Sequence, residues 1–192
     1  MKKTCLLMTG ILLLPACSTL TMSPDVTYQS NNNAQSRLYD LQQWSFEGRI
    51  AIVTQHDVDQ ANMSWTHLPS EDTIKLSGPL GQGAVIIALN AEGVTIDRGG
   101  GDIKTSTEPE KLINQEIGLF VPVSALRYWV IGVPEKSQQA TMIDNGFEQM
   151  GWRNQYKAMQ SVNDYLLPRN MTVTNASIKL KLFIDQWSLD GN

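Results

Sequence analysis

Histidine and cysteine are scarce in this chain, two of each among 192 residues. Together they make the four soft ligands a structural zinc site asks for, but Cys5, Cys17, His56 and His67 lack its close spacing, so no metal site is expected. A basic surplus is lacking too: 15 Lys plus Arg stand against 19 Asp plus Glu, a net charge of −4. Nucleic-acid binders carry a basic patch or stripe, so no nucleic-acid partner is expected. The chain has neither a G-x-S-x-G elbow nor an H-E-x-x-H pair, and no P-loop Lys follows a Gly-rich turn. Heptad arrays, collagen repeats and low-complexity blocks are absent as well. What remains at this length is one ordinary globular domain.

What is there begins with a basic start, Met1-Lys2-Lys3, then an apolar run over 6–14 broken only by Thr9 and Gly10, then Leu14-Pro15-Ala16-Cys17. The run is too short to cross a hydrocarbon layer of roughly 30 Å as a stable helix, and it reads as a secretory signal. The Leu-x-Ala-Cys ending resembles the lipobox of bacterial lipoproteins, in which the Cys is diacylated, the peptide is cut before it, and the new amino group is acylated. On that resemblance residues 1–16 are a cleaved signal peptide and Cys17 is the lipid anchor, bearing N-palmitoyl and S-diacylglycerol groups. Removing 1–16 discards Lys2, Lys3 and Cys5 and leaves 13 basic against 19 acidic residues, a charge of −6. Each buried CH₂ contributes about 0.8 kcal/mol, and anchoring becomes stable once two or more chains insert. Ser18 stands where, in such lipoproteins, an Asp favours retention at the inner membrane, so the expected location is the periplasmic face of the outer membrane. Residues 17–33, rich in Ser, Thr, Asn and Pro, read as a flexible tether, and 34–192 as a single domain.

Within that domain, Leu38 and Leu41 stand at helical spacing in a candidate helix over 34–43. Beyond it the period switches to two. Over 44–53 the even positions are Trp44, Phe46, Gly48, Ile50 and Ile52, the mark of a half-buried strand with an aromatic face. Similar runs predict strands over 61–66, 74–76, 84–89, 94–96, 140–143, 147–150, 152–159, 171–174 and 178–187, with a hairpin signal at Asn145-Gly146. In the last run Ile178, Leu180, Leu182 and Ile184 face one way, and Lys179, Lys181 and Asp185 the other. The Gly99-Gly100-Gly101 run ends the first meander. Thr107-Glu108-Pro109-Glu110 has the form of a capping box opening a helix that stops near Gly118, and a third helix carries Leu126, Trp129 and Val130. Short spacings allow only hairpin connections. The expected fold is therefore α+β, a curled antiparallel sheet of about eleven strands, a half-open β-barrel, covered by about three helices.

Candidate chemistry is thin. The cluster His56-Asp57-x-Asp59 lies in a polar turn, and His67 has no second His to join it. A hydrolase would need paired carboxylates, such as Glu47 and Asp97 converging in the concavity, and no placed pair suggests itself; no catalytic residue and no enzyme activity are expected. The segment Gly78-Pro79-Leu80-Gly81-Gln82-Gly83 lacks the basic residue and following helix of a phosphate cradle. Hairpin tips are normally polar, so Leu80 either folds back onto the core or is held out as an apolar finger for a membrane or an acylated client. Likewise Trp44, Phe46, Met63, Trp65, Trp129, Met150 and Trp152 are either core or the lining of a cavity, and periodicity does not decide between them.

Several segments together carry a resemblance. Trp44-Ser45-Phe46-Glu47-Gly48-Arg49, Trp65, Leu76-Ser77-Gly78-Pro79-Leu80-Gly81, Pro109-Glu110-x-Leu112, Leu126-Arg127-x-Trp129-x-x-Gly132-x-Pro134, Gly151-Trp152-x-x-x-Tyr156 and the run from Ile178 to Trp187 resemble the LolB family of outer-membrane lipoproteins. That family comprises receptors that take lipoproteins from the periplasmic carrier LolA and deposit them in the outer membrane. The resemblance spans about 38–187. It implies a lipocalin-like acyl cavity under a helical lid, no cofactor, and a loop of Pro79, Leu80 and Gly81 for membrane insertion. Trp44, Phe46, Ile50, Met63, Trp65 and Trp129 are the expected cavity lining. Partners would be LolA, acylated lipoprotein clients and outer-membrane lipid, and the protein is expected to act as a monomer. Docking of the carrier on basic side chains would have to use local patches such as Arg127 or Lys179 and Lys181. The rival reading is a structural or assembly lipoprotein that binds another envelope protein, distinguished by a filled core and a flat apolar outer patch.

Overall fold

Alternation of period two governs most of the chain, and each alternating run becomes a strand. The computed structural model describes residues 27–28, 32–78, 81–118 and 121–189. After helix α1 (Asn32–Tyr39) come β1 (Trp44–Val53), β2 (Val58–His67), β3 (Glu71–Ser77), β4 (Val85–Asn90), β5 (Gly93–Asp97) and β6 (Ile103–Ser106). Two helices follow, α2 (Pro109–Ile117) and α3 (Val123–Trp129). The chain ends in β7 (Ala140–Ile143), β8 (Gly146–Gln149), β9 (Trp152–Val162), β10 (Tyr165–Thr174) and β11 (Lys179–Ser188). All eleven strands form one antiparallel sheet in the order β6-β5-β4-β3-β2-β1-β11-β10-β9-β8-β7. The sheet curls without closing, and its edges are β6 and β7.

The curl has a local cause. Between Glu47 and Gly48 the β1–β11 register shifts, an irregularity that bends and twists a strand pair. Gly48 permits it, because a Cβ there would lie 2.2 Å from the Phe183 carbonyl oxygen. The inward side chains of the sheet and those of the three helices form one continuous apolar core. From α2 it receives Leu112 and Ile113, and from α3 Val123, Ala125, Leu126 and Trp129.

Several expectations are corrected by the structure. Tyr28, inside the segment read as tether, is a core residue: its ring stacks on Tyr156 at 4.6 Å and its hydroxyl donates to the Gly132 carbonyl. The glycine triplet does not end the meander but turns it into β6, an exposed edge strand with no apolar face to announce it. Strand β10 begins at Tyr165, well before 171, because register shifts beside Pro168 accommodate the missing N–H. The Asn145-Gly146 pair does not form the turn. Asp144 and Asn145 do, and Gly146 opens β8, where a Cβ would meet the Asn154 carbonyl at 1.9 Å. The capping box does not form either: α2 starts at Pro109 after Glu108, which makes no side-chain cap, while the Glu108 N–H donates to Ser106 Oγ. Met150 is half exposed with φ of 53° in the β8–β9 turn, so it is neither core nor lining.

Candidate functional site

The expected cavity residues divide into two groups within the apolar interior. Trp44, Phe46 and Ile50 project from β1, Met63 and Trp65 from β2, and register pairs Phe46 with Trp65. Trp44 lies 5.5 Å from Trp65, and Phe46 lies 5.1 Å from Trp187, an inward-facing residue of β11 absent from the sequence-based set. Trp129 stands apart on α3, 6.3 Å from Trp152 on β9. All six are buried, Trp65 and Trp129 completely. In this conformation all six belong to one continuous apolar core.

Two polar devices hold α3 across the sheet. At one end, Asp72 of β3 is 3 % exposed. Its Oδ1 accepts from Trp65 Nε1 at 2.9 Å and shares a hydrogen bond with His67 Nδ1 at 2.8 Å, while Oδ2 meets the Arg127 guanidinium of α3 at 3.3 Å. Arg127 is thus tied to the sheet. At the other end, Trp129 Nε1 donates to Gln149 Oε1 at 2.8 Å, and Tyr156 donates its hydroxyl to the Trp129 carbonyl at 2.7 Å. Burial pushes the Tyr156 hydroxyl well above its ordinary range. Gln149 also accepts from the Glu135 N–H and donates to the carbonyls of Glu135 and Gln138, all at 2.8 Å, so one amide pins the segment after α3.

Asp72 and Gln149 were missed in the sequence, though a signal existed: Asp72 shares strand parity with Ile74 and Leu76, and Gln149 shares it with Phe147. Other candidates separate. Glu47 and Asp97 lie on β1 and β5 with three strands between them, so they form no acid/base pair. His56 and Asp57 sit in an exposed turn closed by Thr54. Among the described residues no cluster of three or more potential ligands is suited to a metal ion. Gly81 is exposed in a loop whose base is fixed by the Gly78 N–H on the Gln82 carbonyl and the Gly81 N–H on the Gly78 carbonyl. Pro79, Leu80 and Cys17 lie outside the described residues.

A curled half-barrel with an apolar interior bridged by short helices defines a class seen in solved structures. A LolA-superfamily protein from Nitrosomonas europaea superposes with a TM-score of 0.51 at 9% sequence identity, covering 87% of this chain and 95% of its own. A DUF1329 family protein from Desulfovibrio piger gives 0.52 at 9% identity, over 82% and 91%. Both likenesses concern the fold. At the sequence level the model of the family "Outer membrane lipoprotein LolB" matches residues 42–187. Outer-membrane lipoprotein LolB of Chromohalobacter salexigens is 31% identical over 187 residues, 93% of this chain and 87% of that protein. The Marinomonas protein of the same name is 29% identical over 184 residues, 92% and 93%. The chain belongs to the LolB family of outer-membrane lipoproteins.

Proposed function

We propose that the protein is a receptor anchored in the outer membrane through acylated Cys17, on the periplasmic face, and that it does no chemistry on its cargo. It accepts acylated lipoproteins from the carrier LolA into its apolar interior and inserts them into the outer membrane. Family membership, joined to an apolar core that runs continuously from the sheet into the three helices, is the observation that carries this reading. Each CH₂ exposed to water costs about 0.8 kcal/mol, so a client is best handed from one apolar compartment to another. The driving force is then a difference of affinities, and nucleotide hydrolysis is not required. Trp44, Phe46, Ile50, Met63, Trp65 and Trp129 would contact the acyl chains once α3 gives way, and Leu80, flanked by Pro79 and Gly81, would perturb the bilayer during delivery.

The test mixes the purified soluble domain lacking Cys17 with carrier loaded with a labelled lipoprotein. Label should move to the domain, and if none moves the receptor reading fails. Replacing Leu80 by Glu should leave acceptance intact while blocking delivery to liposomes. Delivery at the normal rate would remove Leu80 from the mechanism. Two observations favour the structural alternative, and one is that the expected lining residues are buried within a filled core. On the outer face a groove of about 360 Å³ is lined by Val53, Val58, Lys181 and Phe183, with Val58 and Phe183 exposed. A domain that captured no acylated client yet co-purified with an envelope protein through that groove would favour it.

A further inference from the structure

Asn154 is the anomaly of the interior. It lies on β9, wholly buried, and among the described residues its side-chain oxygen and nitrogen are the buried polar side-chain atoms without a hydrogen-bond partner. The other buried amide, that of Gln149, is fully engaged. Register places Asn154 between Phe147 of β8 and Val173 of β10, and continues the row through Leu180 to Ile52 of β1. Cross-strand partners share a face, so this amide interrupts an otherwise apolar row. A buried amide without a partner is a net cost to folding, and Leu has the same branched skeleton without that cost.

The position of Asn154 relative to α3 says when its amide is used. Two residues before it Trp152 packs beside Trp129, and two residues after it Tyr156 donates to the Trp129 carbonyl. Side chains at i−2, i and i+2 line one face of a strand, so Asn154 sits between the two contacts that hold Trp129. When α3 withdraws to admit an acyl chain, Asn154 is a polar group available in the space that opens.

We propose that Asn154 is the polar recognition point of the acyl compartment, donating a side-chain N–H to the carbonyl oxygen of an ester- or amide-linked acyl chain. This inference rests on the acyl-receptor reading above. It assigns to Asn154 the distinction between an acylated client and plain hydrocarbon, because a hydrocarbon chain leaves the amide unpartnered and an acyl linkage does not. Asn154 touches the ligand and takes no part in any covalent step.

The test uses the chain with Cys17→Ser, a substitution outside the described residues, and two probes of equal chain length, dodecanoylglycerol and its ether counterpart dodecylglycerol. They differ in the carbonyl alone. Titration followed by tryptophan fluorescence should show the ester binding about tenfold more tightly than the ether, about 1.4 kcal/mol. In N154L the two probes should bind alike, because the carbonyl of the ester then meets no donor. Equal binding of the two probes by the unsubstituted chain overturns the proposal without reference to any variant. So does an ester preference that survives in N154L. If neither probe binds the unsubstituted chain, the acyl-receptor reading itself falls.

Discussion

Replacing Asp72 by Ala removes the acceptor on which three side chains converge, and the structure allows the loss to be apportioned. Trp65 Nε1 is wholly buried and has its acceptor at 2.9 Å in Asp72. Leaving that N–H unsatisfied costs about 1–3 kcal/mol. Losing the His67 hydrogen bond adds about 1 kcal/mol. The Arg127 contact is longer, at 3.3 Å, and its side chain is 34% exposed, so solvent screening holds its share below about 1 kcal/mol. Together D72A should lose about 2–5 kcal/mol, a large fraction of the stability of about 5–15 kcal/mol usual for a domain. Asp72→Asn keeps an oxygen for Trp65 and should lose only about 1–2 kcal/mol. Arg127→Leu should lose less than about 1 kcal/mol. The assay is urea unfolding followed by tryptophan fluorescence, comparing midpoints at constant slope. A D72A loss below about 1 kcal/mol would show that the carboxylate does not hold Trp65. A loss that vanished in an R127L background would show that the ion pair, and not the indole, carries the energy.

Gln149→Leu breaks four hydrogen bonds of 2.8 Å and should cost about 2–4 kcal/mol, with faster amide exchange at Glu135 and around α3. Unchanged exchange there would mean that Gln149 does not pin the segment. Gly48→Ala sets a Cβ against the backbone of Phe183 and should cost about 2–3 kcal/mol, read as a lower urea midpoint. A neutral outcome would show that the β1–β11 bend relaxes freely. Burial raises the hydroxyl pKa of Tyr28 and Tyr156 and pushes that of Tyr39 up to about 12 from the ordinary 10.0. Because the folded values lie above the unfolded ones, this stabilisation is fully present below pH 10 and is lost as pH rises through about 12. Tyrosinate absorbance should therefore appear later in the folded chain than in urea, and coincident titrations would contradict the burial.

The strands that alternate faithfully were legible, and the deviations hide where alternation breaks. Strict parity after Ile184 would turn Trp187 outward, yet the register skips near Asp185 and brings it inside. No rule of period two contains that step. Strand β6 escaped because an edge strand with three of its four residues exposed has no apolar face. Asp72, Gln149 and Asn154 failed to register for the opposite reason. Their parity is inward, but polar residues in a strand are habitually assigned to water, and only the packed sheet shows which of them are enclosed. Of the candidate site, the aromatic set on β1 and β2 was legible. The ties that fix α3 over it were not, because Asp72 and Arg127 lie 55 positions apart in the chain.

The filled interior bears directly on the proposed transfer. Leu126, Trp129 and Val130 are buried in the apolar core, and under the proposed function they fill space that an acyl chain would need. Admitting a client is thus an exchange of one set of buried apolar groups for another, and the hydrophobic gain from each CH₂, about 0.8 kcal/mol, is offset by withdrawing the protein's own side chains. Such an exchange leaves a modest net affinity even for several long chains. A receptor that must give up its cargo to a bilayer needs that modesty, since a preformed empty cavity would bind too tightly to release without an energy source. The Asp72–Arg127 contact and the Gln149 clamp then set how much of the client's binding energy is consumed in opening. On this account the strength with which α3 is held sets both acceptance and release.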